Sequence, residues 1–186
     1  MAQRVGSDSH AAAILVRCQG TRVALDQAML SLRDVVFDYP TFTLGPISFD
    51  LAPGARCALV GRNGAGKSTL LGLLAGQQPP TSGTIEFMGA LRHAPDVAVK
   101  QRVAFAAPEV LGCPWMTAAE HFRWISHFYD RWSSERALGL ARAVALPMDT
   151  PISALSRGNA LKLVLAAAWG QQADLLLLDE PTAGLD

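Results

Sequence analysis

The segment GRNGAGKST at residues 61–69 constrains this chain most, because it fits G-x-x-x-x-G-K-[ST] at Gly61, Gly66, Lys67 and Ser68. Glycines at 61, 64 and 66 let the backbone turn so that successive N–H groups point into one concavity. A helix opening near Lys67 adds about half a positive charge at its N-terminus. Lys67 is then expected to reach the β- and γ-phosphates of a nucleotide, and Ser68 to offer its hydroxyl to Mg²⁺. Arg62, Asn63, Ala65 and Thr69 complete the expected nucleotide-contacting loop. The flanks suit the motif: Cys57–Val60 reads as a short buried strand, and STLLGLLAG as a helix closed by Gly76.

A second run, LLLLDE at 175–180, reads as a buried strand that ends in two carboxylates. Asp179 would hold Mg²⁺, directly or through water, and Glu180 would act as base or orient the attacking water at the γ-phosphate. Such a run is ordinary in a protein core; beside a phosphate-binding loop it acquires a chemical meaning. Strands alternate with helices along the chain, which predicts an α/β sheet with a helical insert.

Composition narrows the field. Sixteen basic and sixteen acidic residues leave no net charge to recruit nucleic acid or a lipid surface. Half of the 186 residues are apolar, enough for one well-cored domain. Yet nowhere do 18 apolar residues follow one another, so a membrane role would require a second chain. Cys18, Cys57 and Cys113 are widely spaced and odd in number, which suggests neither a disulfide framework nor a zinc site and favours a reducing compartment. His121 and His127 lie six apart, a poor spacing for two metal ligands on one helix face.

Residues 1–28 show no clear period and are expected to be an extension or flexible arm, with Met29 a candidate start of the domain at 29–186. LSLRDVVFDYP and ISFDL read as strands, TIEFMG as another, and Met116 to about Ala145 as helical. That helical stretch and its lead-in carry Trp115, Phe122, Trp124, Phe128, Tyr129 and Trp132, either as subdomain core or as a docking surface.

Three further segments specify the class. LSRGN at 155–159 resembles the ABC signature LSGGQ, with Ser156 lying 23 residues before Asp179. PTAGLD at 181–186 resembles the family's D-loop, and Tyr39 lies upstream of the phosphate loop where the family stacks an aromatic on adenine. Residues 30–186 thus resemble the ATP-binding domain of ABC (ATP-binding cassette) transporters, and 114–132 is similar to exporters of the antibiotic and multidrug kind. The resemblance implies a P-loop α/β core with a mostly parallel sheet, an N-terminal antiparallel β part and a helical signature subdomain at about 112–165. It also implies ATP and Mg²⁺, and a homodimer or heterodimer of cassettes in which Ser156 and Gly158 contact the partner's nucleotide. A separate multispanning subunit would place the chain on the cytoplasmic face of a membrane. Runner-up readings are a soluble ABC ATPase without a transport role and a nucleotide-binding regulatory module with little turnover. A GTPase is disfavoured, for no N-K-x-D motif occurs.

The sequence departs from the family pattern at Arg157 and Asn159, which replace a glycine and a glutamine of the signature. Arg157 either adds charge toward phosphate or is tolerated variation. Where the family places a glutamine that touches Mg²⁺, counting back from Thr117 gives Pro108, followed by Glu109. Glu109 is then either a substitute oxygen donor or a solvent-facing loop carboxylate. The family's switch histidine follows the D-loop, and His10, His93, His121 and His127 all precede the signature. The sequence is therefore expected to be cut short after the D-loop, to bind ATP and to hydrolyse it feebly.

Overall fold

The computed structural model describes residues 2–5, 14–19, 28–91, 97–107, 110 and 112–181. The chain divides into two compact units, Met1–Val99 and Lys100–Asp186.

In the first unit, β1 (Ala2–Val5), β2 (Ile14–Gln19) and β5 (Arg56–Val60) form one antiparallel sheet. A second antiparallel sheet has the order β4 (Phe42–Leu51), β3 (Leu30–Tyr39), β6 (Ser82–Phe87) and β7 (Ala90–Leu91). Along β4 the period-2 pattern buries Ile47, Phe49 and Leu51 and turns Ser48 and Asp50 outward. The β3–β4 register shifts on either side of Val35, and a Cβ at Gly45 would collide with the Val35 carbonyl. A glycine is required there, with φ at +109°. Arg33 pairs with Asp50 across the two strands at 2.7 Å. Helix α1 (Lys67–Leu74) follows β5 and buries Leu70, Leu71, Leu73 and Leu74. A four-residue helix, α2 (Val97–Lys100), lies at the boundary between the units.

Two sequence expectations need correction here. The strand ending in Val60 is exposed along most of its length, Val60 itself by 49%. The four-residue apolar run Cys57–Val60 specifies a strand, but what packs on its faces decides its burial. Cys57 is also disulfide-bonded, where the cysteine spacing suggested no disulfide. The register of β2 on β5 sets the backbone of Cys18 opposite Cys57, a proximity that spacing in sequence does not reveal. Cys113 is free.

In the second unit, β8 (Val103–Ala106) and β9 (Leu175–Leu178) pair in parallel. Asp174, at the foot of β9, accepts from Arg102 Nε at 2.7 Å and Arg131 Nη1 at 2.8 Å. The Arg102 hydrogen bond, then that of Arg131, holds its carboxyl below the usual range. Around this pair stand α3 (Ala118–Ile125), α4 (Ser134–Ala143) and α5 (Arg157–Gly170). Their core joins Ala118, Phe122, Ala141, Leu146, Leu163, Ala166 and Ala167. Alanines let α4 and α5 approach closely. At Gly170 the approach is closer still: a Cβ would stand 2.8 Å from that of Ala137 and 2.9 Å from the Trp132 ring. The continuous helical pattern expected over 116–145 is broken by a 3₁₀ turn at Ser126–Phe128 and a link that ends at Ser133, the N-cap of α4.

Candidate nucleotide site

The phosphate loop lies wholly in the first unit. Its backbone is left-handed at Gly64 (φ +78°) and Gly66 (φ +90°) but not at Gly61, so two of the three glycines expected to bend do so. Ala65 N–H bonds to Arg62 O at 3.1 Å and closes the turn, and Ala65 is buried beneath it. Arg62, Asn63, Gly64 and Ser68 are exposed, while Gly61, Gly66, Lys67 and Thr69 are half-buried. A Cβ at Gly64 would meet nothing within 4 Å, so open space lies over the loop at that point.

Helix α1 starts at Lys67 with Gly66 as its N-cap, no side-chain cap and no acidic residue in its first turn. Its own first turn thus sets no carboxylate against its leading N–H groups, which favours an anion there. The Lys67 ammonium donates to Gly61 O and Arg62 O, both at 2.9 Å, which sets a positive charge against the same loop.

Tyr39 and Phe42 flank a two-residue turn and face each other in the β3–β4 register, as do Phe37 and Leu44 one step below. The four side chains share one face of the hairpin tip. Tyr39 is 43% exposed and meets the Phe37 ring edge-on at 4.9 Å and the Phe42 ring at 6.5 Å. This face touches the phosphate loop: a Cβ on Gly66 would lie 2.8 Å from Leu44 Cδ1 and 3.1 Å from Phe42 Cζ. Phe42 and Leu44 are contacts that sequence reasoning missed. Their signal was the pairing of apolar residues on both sides of Pro40 and Thr41.

In the second unit, Asp179 follows β9, is buried, and donates its N–H to Ala106 O at 3.0 Å. Asp179 thus stands at the carboxyl ends of two parallel strands, the usual ligand edge of an α/β sheet. Glu180 is exposed and holds a left-handed backbone (φ +46°), uncommon for a residue with a Cβ. Ser156 caps α5, its Oγ accepting from Asn159 N–H at 3.2 Å. Arg157 is exposed and Gly158 half-buried in the first turn. Pro108, Glu109, Thr182–Asp186, His10 and His93 lie outside the described residues.

Among the described residues no group of three or more His, Cys, Asp or Glu could hold a metal alone. His121 and His127 have separate surroundings: His127 Nδ1 lies 2.7 Å from Arg123 O, whereas His121 is buried with an unpartnered Nδ1. Burial lowers the pKa of His121 and favours the neutral ring. The aromatic stretch divides. Phe122 and Trp132 pack in or against the core, while Trp115, Trp124 and Phe128 are exposed by 74%, 38% and 55%.

Comparison with known proteins bears on the whole arrangement. A ribose import ATP-binding protein of Burkholderia cenocepacia is 35% identical over 169 residues, covering 84% of this chain and 33% of the relative. A cytochrome c biogenesis ATP-binding export protein of Cupriavidus pinatubonensis is 32% identical over 175 residues, covering 91% of this chain and 75% of the relative. The chain thus spans a third of one relative and three quarters of the other. A dimeric ATP-binding cassette solved with ADP and phosphate superposes with a TM-score of 0.71 at 20% identity, over 85% of this chain and 76% of that one. Residues 44–183, which run from the hairpin strand β4 through the phosphate loop and Asp179, match the ABC transporter family. The chain belongs to that family.

Proposed function

We propose that this protein is the ATP-binding and hydrolysing subunit of an ABC transporter. The observation that carries this reading is the start of α1: an N-terminus without a side-chain cap, behind a glycine loop and beside Lys67. The loop N–H groups and Lys67 bind the β- and γ-phosphates, and Tyr39 stacks on adenine. Ser68 and Asp179 would hold Mg²⁺, which would supply positive charge to offset that of the phosphates. Glu180 accepts a proton from the attacking water; the water oxygen bonds to the γ-phosphorus as the bond to the β–γ bridging oxygen breaks, releasing ADP and phosphate.

Ser156 and Gly158 present the N-terminus of α5 to the nucleotide of a paired cassette, in a homodimer or a heterodimer. Closing and opening of that pair drives a separate multispanning subunit, with this chain peripheral on the cytoplasmic face of the membrane. Among the described residues no helix is long and apolar enough to cross a membrane. Exposed Trp115, Trp124 and Phe128 supply an apolar surface suited to docking the membrane partner. The likeness of 114–132 to exporter subunits favours export, although the relatives named above include one import and one export protein.

The test pairs MgATP binding with phosphate release for the wild type and Glu180→Gln. Binding is expected to survive while turnover falls about hundredfold or more. Unchanged turnover would remove Glu180 from its role, and failure of the wild type to bind MgATP would sink the proposal. Purification from host membranes should bring down a multispanning protein in stoichiometric amount; recovery on ribosomes would overturn the transport role.

A further inference from the structure

We infer that Phe42 is a positioning residue that fixes the spacing between the base-stacking ring of Tyr39 and the phosphate loop. The inference rests on the reading of Tyr39 and residues 61–69 as the nucleotide site. A nucleotide's base and phosphates are the two ends of one molecule, so the seats for each must lie a set distance apart. In this chain the two seats sit on different elements, the β3–β4 hairpin tip and the loop after β5.

Phe42 touches both. Its ring lies 6.5 Å from that of Tyr39 with the planes inclined by 31°, and its Cζ stands 3.1 Å from the Cβ position of Gly66. Leu44 also reaches Gly66, but it is buried and stands opposite Phe37, not Tyr39, in the register. Phe37 also packs on Tyr39, edge-on at 74°. Gly66 is the point where contact matters most: its φ of +90° aims the first N–H groups of α1, Lys67 keeps the loop's own shape through Gly61 O and Arg62 O, and the Phe42 ring against the missing Cβ sets where the hairpin tip stands relative to them. Losing the Phe42 ring would free Tyr39 to tilt without removing any phosphate-binding group.

The experiment measures the affinity of the intact protein for MgATP and for Mg-tripolyphosphate, which has no base, in wild type, Tyr39→Ala, Phe42→Ala, Phe42→Leu and the double alanine variant. Loss of one base-stacking arrangement weakens binding about tenfold. Phe42→Ala should weaken MgATP about that much and tripolyphosphate less than about twofold, with the double variant no weaker than either single one. Phe42→Leu keeps apolar volume against Gly66 but loses the flat ring, and should show the same selective loss at an unchanged unfolding temperature.

Equal loss for both ligands would make Phe42 a plain support of the loop and overturn the inference, as would full ATP affinity in both Phe42 variants. If Tyr39→Ala leaves ATP affinity intact while the wild type binds ATP well, the base seat itself is wrong, and the inference falls with it.

Discussion

Helices α1 and α3 begin in opposite ways. At α3, Thr117 Oγ1 accepts from Glu120 N–H at 3.2 Å and Glu120 Oε2 accepts from Thr117 N–H at 2.9 Å, a reciprocal capping box that satisfies the helix start from within. At α1, a glycine in left-handed conformation stands where Thr117 stands in α3, and no side chain or acid closes the end. The first arrangement gains stability from its own residues. The second leaves its N–H groups and dipole available to an external anion and relies on Lys67 and the left-handed turn at Gly66 for its shape. Helix α5 falls between them: Ser156 caps it, yet the proposed role of Ser156 is contact with a partner's nucleotide.

Substitution at the two caps should separate these designs most sharply. Gly66→Ala meets both an unfavourable φ and the side chains of Leu44 and Phe42, and should cost about 2 kcal/mol of stability while lowering MgATP affinity tenfold or more. Thermal unfolding and calorimetric titration would read the two effects. A Gly66→Ala protein of native affinity would mean that the loop does not depend on its left-handed turn.

Thr117→Ala and Ser156→Ala each remove a cap worth about 1 kcal/mol. Only the serine variant should also lose ATP turnover, measured with cassettes at a concentration that permits pairing. Equal turnover in the two variants would reduce Ser156 to a structural cap like Thr117.

The smallest effect concerns acid. Hydrogen bonds from the Thr117 backbone, then its side chain, hold the Glu120 carboxyl below its ordinary value. A carboxylate depressed on folding contributes stability that is full above the unfolded value and is lost as pH falls through the folded one. Acidification below pH 4.5, the ordinary value, should therefore loosen α3 in the wild type, and Glu120→Gln should flatten that part of the stability profile. Circular dichroism against pH would check it, and an unaltered slope in the glutamine variant would place the acid sensitivity elsewhere.

Several of these features were readable in the linear chain. GRNGAGKST predicted a loop and the helix behind it, and α1 begins at Lys67. The LSRGN segment was legible as a signature-like motif, and α5 begins within it at Arg157. The T-x-x-E pattern of Thr117 and Glu120 was equally legible as a helix start, although the run from Met116 onward read as one helical stretch. Other features had no local signal. The exposure of β5 depends on its neighbours, and the division of the aromatics into Phe122 inside and Trp115 outside depends on how α3 faces the core.

The sequence by itself determined the chemistry, because phosphate binding needs particular residues at fixed short spacings and those spacings survive in any fold that keeps the loop. Tertiary structure alone decided the contacts between distant segments: Phe42 and Leu44 against Gly66, Asp179 beside Ala106, and the disulfide at Cys57. Such contacts follow from strand register and close packing, which join residues tens of positions apart and leave no periodic trace along the chain.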